Sequence, residues 1–307
     1  WDIATYYRDT LKMDFPQPVI LVPGNKHYSW PRSANVFGIS EKAMWPTELD
    51  RFGRVCVKAL RANTEKARRE HPPIMINVSV AGTTELGTVD PVDEVSDLLE
   101  SYRRNEGIHI WHHVDAAYGG YFCSTFRGGR SRLRQKAVDA FSALPRVESV
   151  TLDPHKLGMV PYACGAFIVS RPRSYSVSHI SAPYLKEDEQ IDQPSWSTTL
   201  EGSRPATGAG AVWLSSRVMP LTADGHGAIL NQMVIAKRYV SRRLRQRFPD
   251  IHFMPGSDTN IVSCVLAPAG APLSEVNRIT GVLIEGFEQS PNFAISRTSL
   301  SRSNYGA

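Results

Sequence analysis

The chain has 307 residues, 42% hydrophobic and 21% charged, with a formal net charge of +5 and a sequence pI near 9.0. This balance fits a globular protein of one large or two modest domains, and no apolar run approaches the roughly 18 residues of a membrane-spanning helix. Four widely spaced cysteines (Cys56, Cys123, Cys164, Cys264) form no CxxC pair, so a reducing, cytoplasmic setting is expected rather than a disulfide framework.

Residues 1–12 read as a helix remnant. The opening Trp1-Asp2-Ile3-Ala4-Thr5 is no signal peptide and lacks an initiator Met, so the chain reads as part of a longer protein. Pro18 to Val22 is a short apolar strand, stopped by Pro23-Gly24-Asn25. Trp30 to Phe37 suits a helix with Pro31 early, Asp50 to Gly53 a turn, and Cys56 to Arg69 a helix halted by Pro72-Pro73. Ile74 to Val80 is a β-branched strand followed by Gly82-Thr83-Thr84; the Asn77-Val78-Ser79 sequon falls inside it and is discounted. Val92 to Tyr102 reads as a helix, Ile108 to Val114 as a strand, Arg127 to Arg130 as a basic loop, and Leu133–Ala143 as a helix. Val147 to Leu152 and Ala166 to Ser170 read as strands. Residues 181–197 are polar, the best candidate for a mobile loop. Gly225 to Phe248 reads as a long helix. Its basic run at 238–247 reads as a solvated face, since no aromatic interleaving or known module supports nucleic-acid binding. Ile261–Leu266, Leu273–Phe287 and Phe293–Arg297 follow as strand, helix and strand.

Alternating strands and helices predict an α/β protein with a mostly parallel sheet and helices on both faces. Residues 1–224 would form the large domain. Residues 225–307 would form a linking helix and the start of a small C-terminal α+β domain.

Two segments carry most of the chemistry. His113-Val114-Asp115-Ala116-Ala117-Tyr118-Gly119-Gly120 follows one apolar strand, and Asp153-Pro154-His155-Lys156 follows another, with Asp115 and Lys156 41 positions apart. Both lie just past strand ends, where open α/β sheets build their sites. An aspartate and a lysine so placed suit pyridoxal phosphate: the amine forms a Schiff base with the aldehyde, and the carboxylate keeps the pyridine nitrogen protonated. Alone, Lys156 would read as a surface lysine and Asp115 as a cap or ion-pair partner. Together they point to the cofactor, with a partly desolvated lysine and small residues after Asp115 that let a flat ring approach the backbone. His27 could stack on such a ring or move a proton, Thr83 and Thr84 could donate hydrogen bonds, and His155 could contact the phosphate. A structural histidine, a strand-end turn and a loop histidine are the plain alternatives. His109, His112 and His113 do not suit chelation from a strand, and no GxSxG elbow, GxGxxG turn or P-loop is present.

The chain resembles the group II pyridoxal-phosphate-dependent amino acid decarboxylases, which act on aromatic amino acids, tyrosine, histidine and glutamate. The matching motifs are HYSW at 27–30, AGTTELGTVDP at 81–91, HVDAAYGG at 113–120, DPHK at 153–156, PYLK at 183–186 and SRTSLS at 296–301. The resemblance implies the fold type I architecture of pyridoxal-phosphate-dependent transferases, working as a homodimer. It implies Lys156 as the Schiff-base lysine and Asp115 as the partner of the pyridine nitrogen. His27 and Ala117 would pack on opposite ring faces, Thr84 would help hold the cofactor, and His155 would lie at its phosphate. Tyr184 would be the mobile-loop tyrosine that protonates the substrate carbon after carbon dioxide leaves. The family's Gly-rich phosphate-binding segment, its N-terminal dimerising segment and the end of its C-terminal domain are not in this chain.

Decarboxylation of an L-amino acid, tyrosine favoured, is therefore expected. The alternatives are an acidic substrate such as glutamate, aldehyde synthesis or another pyridoxal-phosphate reaction, and an inactive truncated fragment. No nucleic-acid or membrane partner is expected.

Overall fold

The computed structural model describes residues 3–70, 72–179, 199, 204–292, 294–301 and 305. Its centre is a six-stranded sheet of β1 (Val19–Pro23), β2 (Met44–Thr47), β3 (Ile74–Val80), β4 (Trp111–Asp115), β5 (Ser149–Leu152) and β6 (Ala166–Val169), in the order β2-β1-β3-β4-β5-β6. Strands β1 to β5 run parallel and β6 runs antiparallel to β5. Helices α1 (Ile3–Asp9), α2 (Ser29–Val36), α3 (Val57–Glu70), α4 (Val92–Glu106), α5 (Gln135–Ser142), α6 (Thr207–Val218), α7 (His226–Arg247) and α8 (Leu273–Glu288) accompany it. A two-stranded antiparallel sheet pairs β7 (Ile251–Phe253) with β8 (Cys264–Leu266).

The burial of β1 shows why the sheet needs two covers. Successive side chains point to opposite faces. Val19 and Leu21 pack with Leu60, Val95, Leu98 and Tyr102 from α3 and α4. Ile20 and Val22 pack on the other face with Ala34 of α2, Met44 and Val78. A third cluster gathers Val114, Ala116, Phe122, Ala137 and Phe141, and α7 adds Leu230 and Val234 to it. The other half of α7 leaves Arg238, Arg242, Arg243, Arg245 and Arg247 exposed, the solvated face that the basic run predicts. Asn77 of the sequon is buried in β3, as expected.

Several boundaries differ from expectation. Helix α4 runs past Tyr102 to Glu106, because Gly107, with φ 70°, supplies the left-handed residue that ends it. Strand β4 begins only at Trp111, where pairing with Ile76 of β3 starts. Strand β2 escapes the sequence reading because Pro46 interrupts its pattern; it lies at the sheet edge, where a proline is tolerated. Helix α6 and the three-residue β7 were also not expected. Residues 294–297 are irregular rather than a strand, since no neighbouring strand among the described residues pairs their backbone.

Candidate active site

The sheet brings four post-strand segments to one edge. Asp115 closes β4, paired in register with Val80 of β3 and Thr151 of β5. The chain after β5 is tied back to it: the Asp153 N–H donates to the Ala117 carbonyl at 3.1 Å. The segment after β3 is tied in twice, with the Ala81 N–H on the Asp115 carbonyl and the Gly119 N–H on the Ala81 carbonyl. From β1, Trp30 reaches across: its indole N–H donates to Asp115 Oδ2 at 3.4 Å. The other carboxylate oxygen accepts the Ala117 N–H at 3.2 Å. Among the described residues both donors to Asp115 are N–H groups, which suits a carboxylate.

Lys156 sits in the turn after β5. Its amine pairs with Asp153 Oδ2 at 2.9 Å, and the side chain is 37% exposed. It is therefore more open than the desolvated lysine expected from sequence. Its partner Asp153 lies three residues back in the same turn. The turn itself is tightly bonded, with Lys156 N–H to the Asp153 carbonyl, Met159 N–H to the Lys156 carbonyl and Val160 N–H to the Pro154 carbonyl.

His27 is half-buried. Its Nδ1 accepts the Ser29 backbone N–H and lies 2.9 Å from the Ser29 hydroxyl, so the ring proton sits on Nε2. Thr83 and Thr84 divide the roles the sequence left open. Thr83 is buried, bonded to Thr88 within its own turn, whereas Thr84 is exposed. His155 is exposed, with Nδ1 against the Cys164 carbonyl. The glycines after Asp115 face inward instead of toward a ring. A Cβ on Gly119 would strike the Ala81 carbonyl, and one on Gly120 would strike Leu152. Ala117 remains the small, half-buried residue at the edge. Tyr184 and the 181–197 loop lie outside the described residues.

His109, before β4, and His112 and His113, within it, have separate partners. His112 is fully buried against Ser79 (2.9 Å) and Ser96 (3.3 Å), and burial, with His113 and Arg146 adding, pushes its imidazole down to about 3. His113 lies beside Trp30 and stacks near Phe167 at 5.9 Å. Its nitrogens face Ser149 (2.8 Å) and Thr151 (3.2 Å), and burial, partly countered by Asp115, pushes it down to about 4. His109 is exposed and pairs with Glu148.

Sequence reasoning missed four neighbours of the site: Trp30 on Asp115, Asp153 on Lys156, His113 beneath the edge, and His226 at the start of α7. Asp153 stood in the same motif as Lys156, and its three-residue spacing could have revealed it. His226 had only the flanking Gly225 and Gly227 to mark a close approach.

The donor set fits pyridoxal phosphate: a reachable primary amine, a carboxylate that accepts N–H groups, an alanine and an imidazole for ring faces, and an exposed hydroxyl. A family model described as the pyridoxal-dependent decarboxylase conserved domain matches residues 10–256. An L-tyrosine decarboxylase of Enterococcus faecium is 28% identical over 328 residues, covering 93% of this chain and 53% of that protein. An L-aspartate decarboxylase of Thermococcus kodakarensis is 32% identical over 247 residues, covering 80% and 57%. The crystal structure of Oryza sativa TDC with PLP and tryptamine shares the fold, with a TM-score of 0.77 at 16% identity, over 94% of this chain and 57% of that one. The chain spans about half the length of the curated relatives it matches.

Proposed function

The chain belongs to the pyridoxal-dependent decarboxylase family, and on that premise we propose that it removes the carboxyl group of an L-amino acid as carbon dioxide. Pyridoxal phosphate, when bound, supplies an electron sink for the pair left on carbon as that bond breaks. The observation that carries the reading is the placement of Asp115 and Lys156 past the ends of adjacent parallel strands, with the Asp153 N–H to Ala117 carbonyl bond joining their segments.

Lys156 is the amine that would hold the cofactor covalently, and its pairing with Asp153 holds it in place beforehand. Asp115 would fix the proton on the ring nitrogen, with Trp30 and the Ala117 N–H orienting its carboxylate. His27 and Ala117 would flank the ring, and Thr84 and His155 would serve the phosphate. Tyr184, on the resemblance, would deliver the proton to the substrate carbon.

An aromatic substrate such as L-tyrosine is favoured. The aromatic rings that run from Trp30, bonded to Asp115, through His113 to Phe167 support it, as do the tyrosine-decarboxylating relatives that align with 93% of the chain. L-Aspartate is the second reading, favoured by the higher 32% identity to an aspartate decarboxylase.

A homodimer is proposed too. Helix α6 has no buried residue, and Trp213, Leu214 and Val218 are 65%, 59% and 79% exposed, an apolar face of the kind that association covers. The division near residue 224 stays a proposal, supported by the packing of α8 on β8. Among the described residues no helix is long and apolar enough to cross a membrane.

The test is titration with pyridoxal phosphate, borohydride reduction and peptide mapping, followed by product analysis with L-tyrosine and L-aspartate. A visible band, a reduced cofactor on Lys156 and release of tyramine are expected. Absence of any label on Lys156 would overturn the reading. Tyr184→Phe should retain the label while losing amine product.

A further inference from the structure

We propose that His226, at the first position of α7, is a positioning residue for the Lys156 turn. The inference rests on the reading of Lys156 as the cofactor's lysine. His226 is fully buried, more than 60 residues along the chain from that turn. Its Nε2 lies 2.8 Å from the carbonyl oxygen of Leu157, the residue after Lys156. A carbonyl only accepts, so Nε2 carries the proton and donates. On the other side Nδ1 lies 2.9 Å from the Ser124 hydroxyl, itself 2.8 Å from the Tyr121 carbonyl. Burial pushes the imidazole down, which favours the neutral ring with its one proton on Nε2.

The Leu157 carbonyl is the turn's anchor on a distant element. Of the other bonds that hold the turn, those from Lys156 N–H, Met159 N–H and Val160 N–H stay within it, while the Asp153 N–H ties its start to the Ala117 carbonyl and His155 pairs with Cys164 beyond its end. The local bonds set the shape of the turn, the Asp153 bond fixes its start beside β4, and the His226 bond fixes its middle against α7. The anchor is itself fixed. The His226 N–H donates to the Pro220 carbonyl at 2.9 Å, and Gly227 lies so close to Ser124 that a Cβ would strike its carbonyl. Tyr121 flanks the imidazole with ring centroids 5.5 Å apart. A buried carbonyl that loses its donor is costly, and the cheapest relief is for the turn to move toward water. Such a movement carries the Lys156 amine with it.

The experiment compares His226→Leu with His226→Gln in the purified protein. Gln keeps an N–H near the Nε2 position, whereas Leu fills the space without a donor. Hydrogen exchange of the cofactor-free protein is read by peptide, and the visible band is followed during titration with pyridoxal phosphate. The Leu variant should exchange faster over 153–160 with β3 and α4 unchanged, and should need about tenfold more cofactor for half the band. The Gln variant should restore both. The proposal is overturned if the Leu variant matches wild type, or if it loosens β3 and α4 along with the turn and Gln rescues nothing. A wild-type protein that forms no band counts against the proposed function, and the exchange comparison then decides on His226 alone.

Discussion

Asp115 illustrates how much one side chain depends on its two donors, the Trp30 indole and the Ala117 N–H. Asp115→Asn keeps the size and one acceptor oxygen for the Ala117 N–H but removes the charge. The variant is expected to melt like wild type and lose at least about a hundredfold in turnover, because a preorganised charge beside the reacting system is gone. Paired turnover and melting measurements check this. His112 and His113 give a pH dependence with a definite sign. Both sit well below 6.5 in the fold, at about 3 and about 4, while an unfolded chain protonates them near pH 6.5. Between those values the unfolded chain binds more protons, so stability is full above pH 6.5 and is lost as the pH falls toward 4. Urea unfolding at pH 7 and pH 5 should show a loss of about 2 kcal/mol per histidine, and His112→Gln should lessen that drop. Lys156, Asp115 and His27 were legible because they stand just after apolar strands. The approach of Trp30 to Asp115 and His113 was not, since contacts between strands two places apart leave no spacing in the sequence.

At the scale of elements, the strands that carry the site were the easiest to read. Runs such as Ile74 to Val80 are β-branched and apolar because both faces are covered. The misjudged elements have physical reasons. β2 contains Pro46, tolerable only at an edge, and α6 is rich in glycine and alanine and buries nothing that would stamp a period on it. The segments after β3 and β4 cross at a tight junction. Gly82, with φ 102°, and Gly119 lie back to back there, and a Cβ on Gly119 would meet the Ala81 carbonyl. Gly119→Ala should cost about 2 kcal/mol or more, since the obstacle is backbone. Chemical denaturation measures it, with reduced labelling of Lys156 as the accompanying loss of function.

Over the whole molecule, the segment after β7 returns to close the large sheet. Asp258 is nearly fully buried and receives both ends of the Arg54 guanidinium and the Val89 N–H. The Asp258 and Thr259 N–H groups both donate to the Gly87 carbonyl, and Asn260 accepts the Tyr118 hydroxyl at 2.9 Å. Asp258→Ala strands a half-buried guanidinium and should destabilise by about 3–5 kcal/mol. An unfolding titration checks it. Sequence spacing could not reveal this closure, because Arg54 and Asp258 are 204 positions apart and neither stands in a motif.

The antiparallel course of β6 has a consequence for how the chain could vary. A parallel successor to β5 would send the backbone away through a crossover. A return hairpin instead pins both feet of the lysine-bearing arch to the same rim. Pro161, Tyr162 and Ala163 are exposed at its outer end, so extra residues inserted there would lengthen a solvent-facing tip and leave the amine where it is. Removing even one residue between Pro154 and Val160 would shorten the inner foot and drag the amine out of line with Asp115. Evolutionary tinkering with loop length is thus open on one half of the arch and closed on the other.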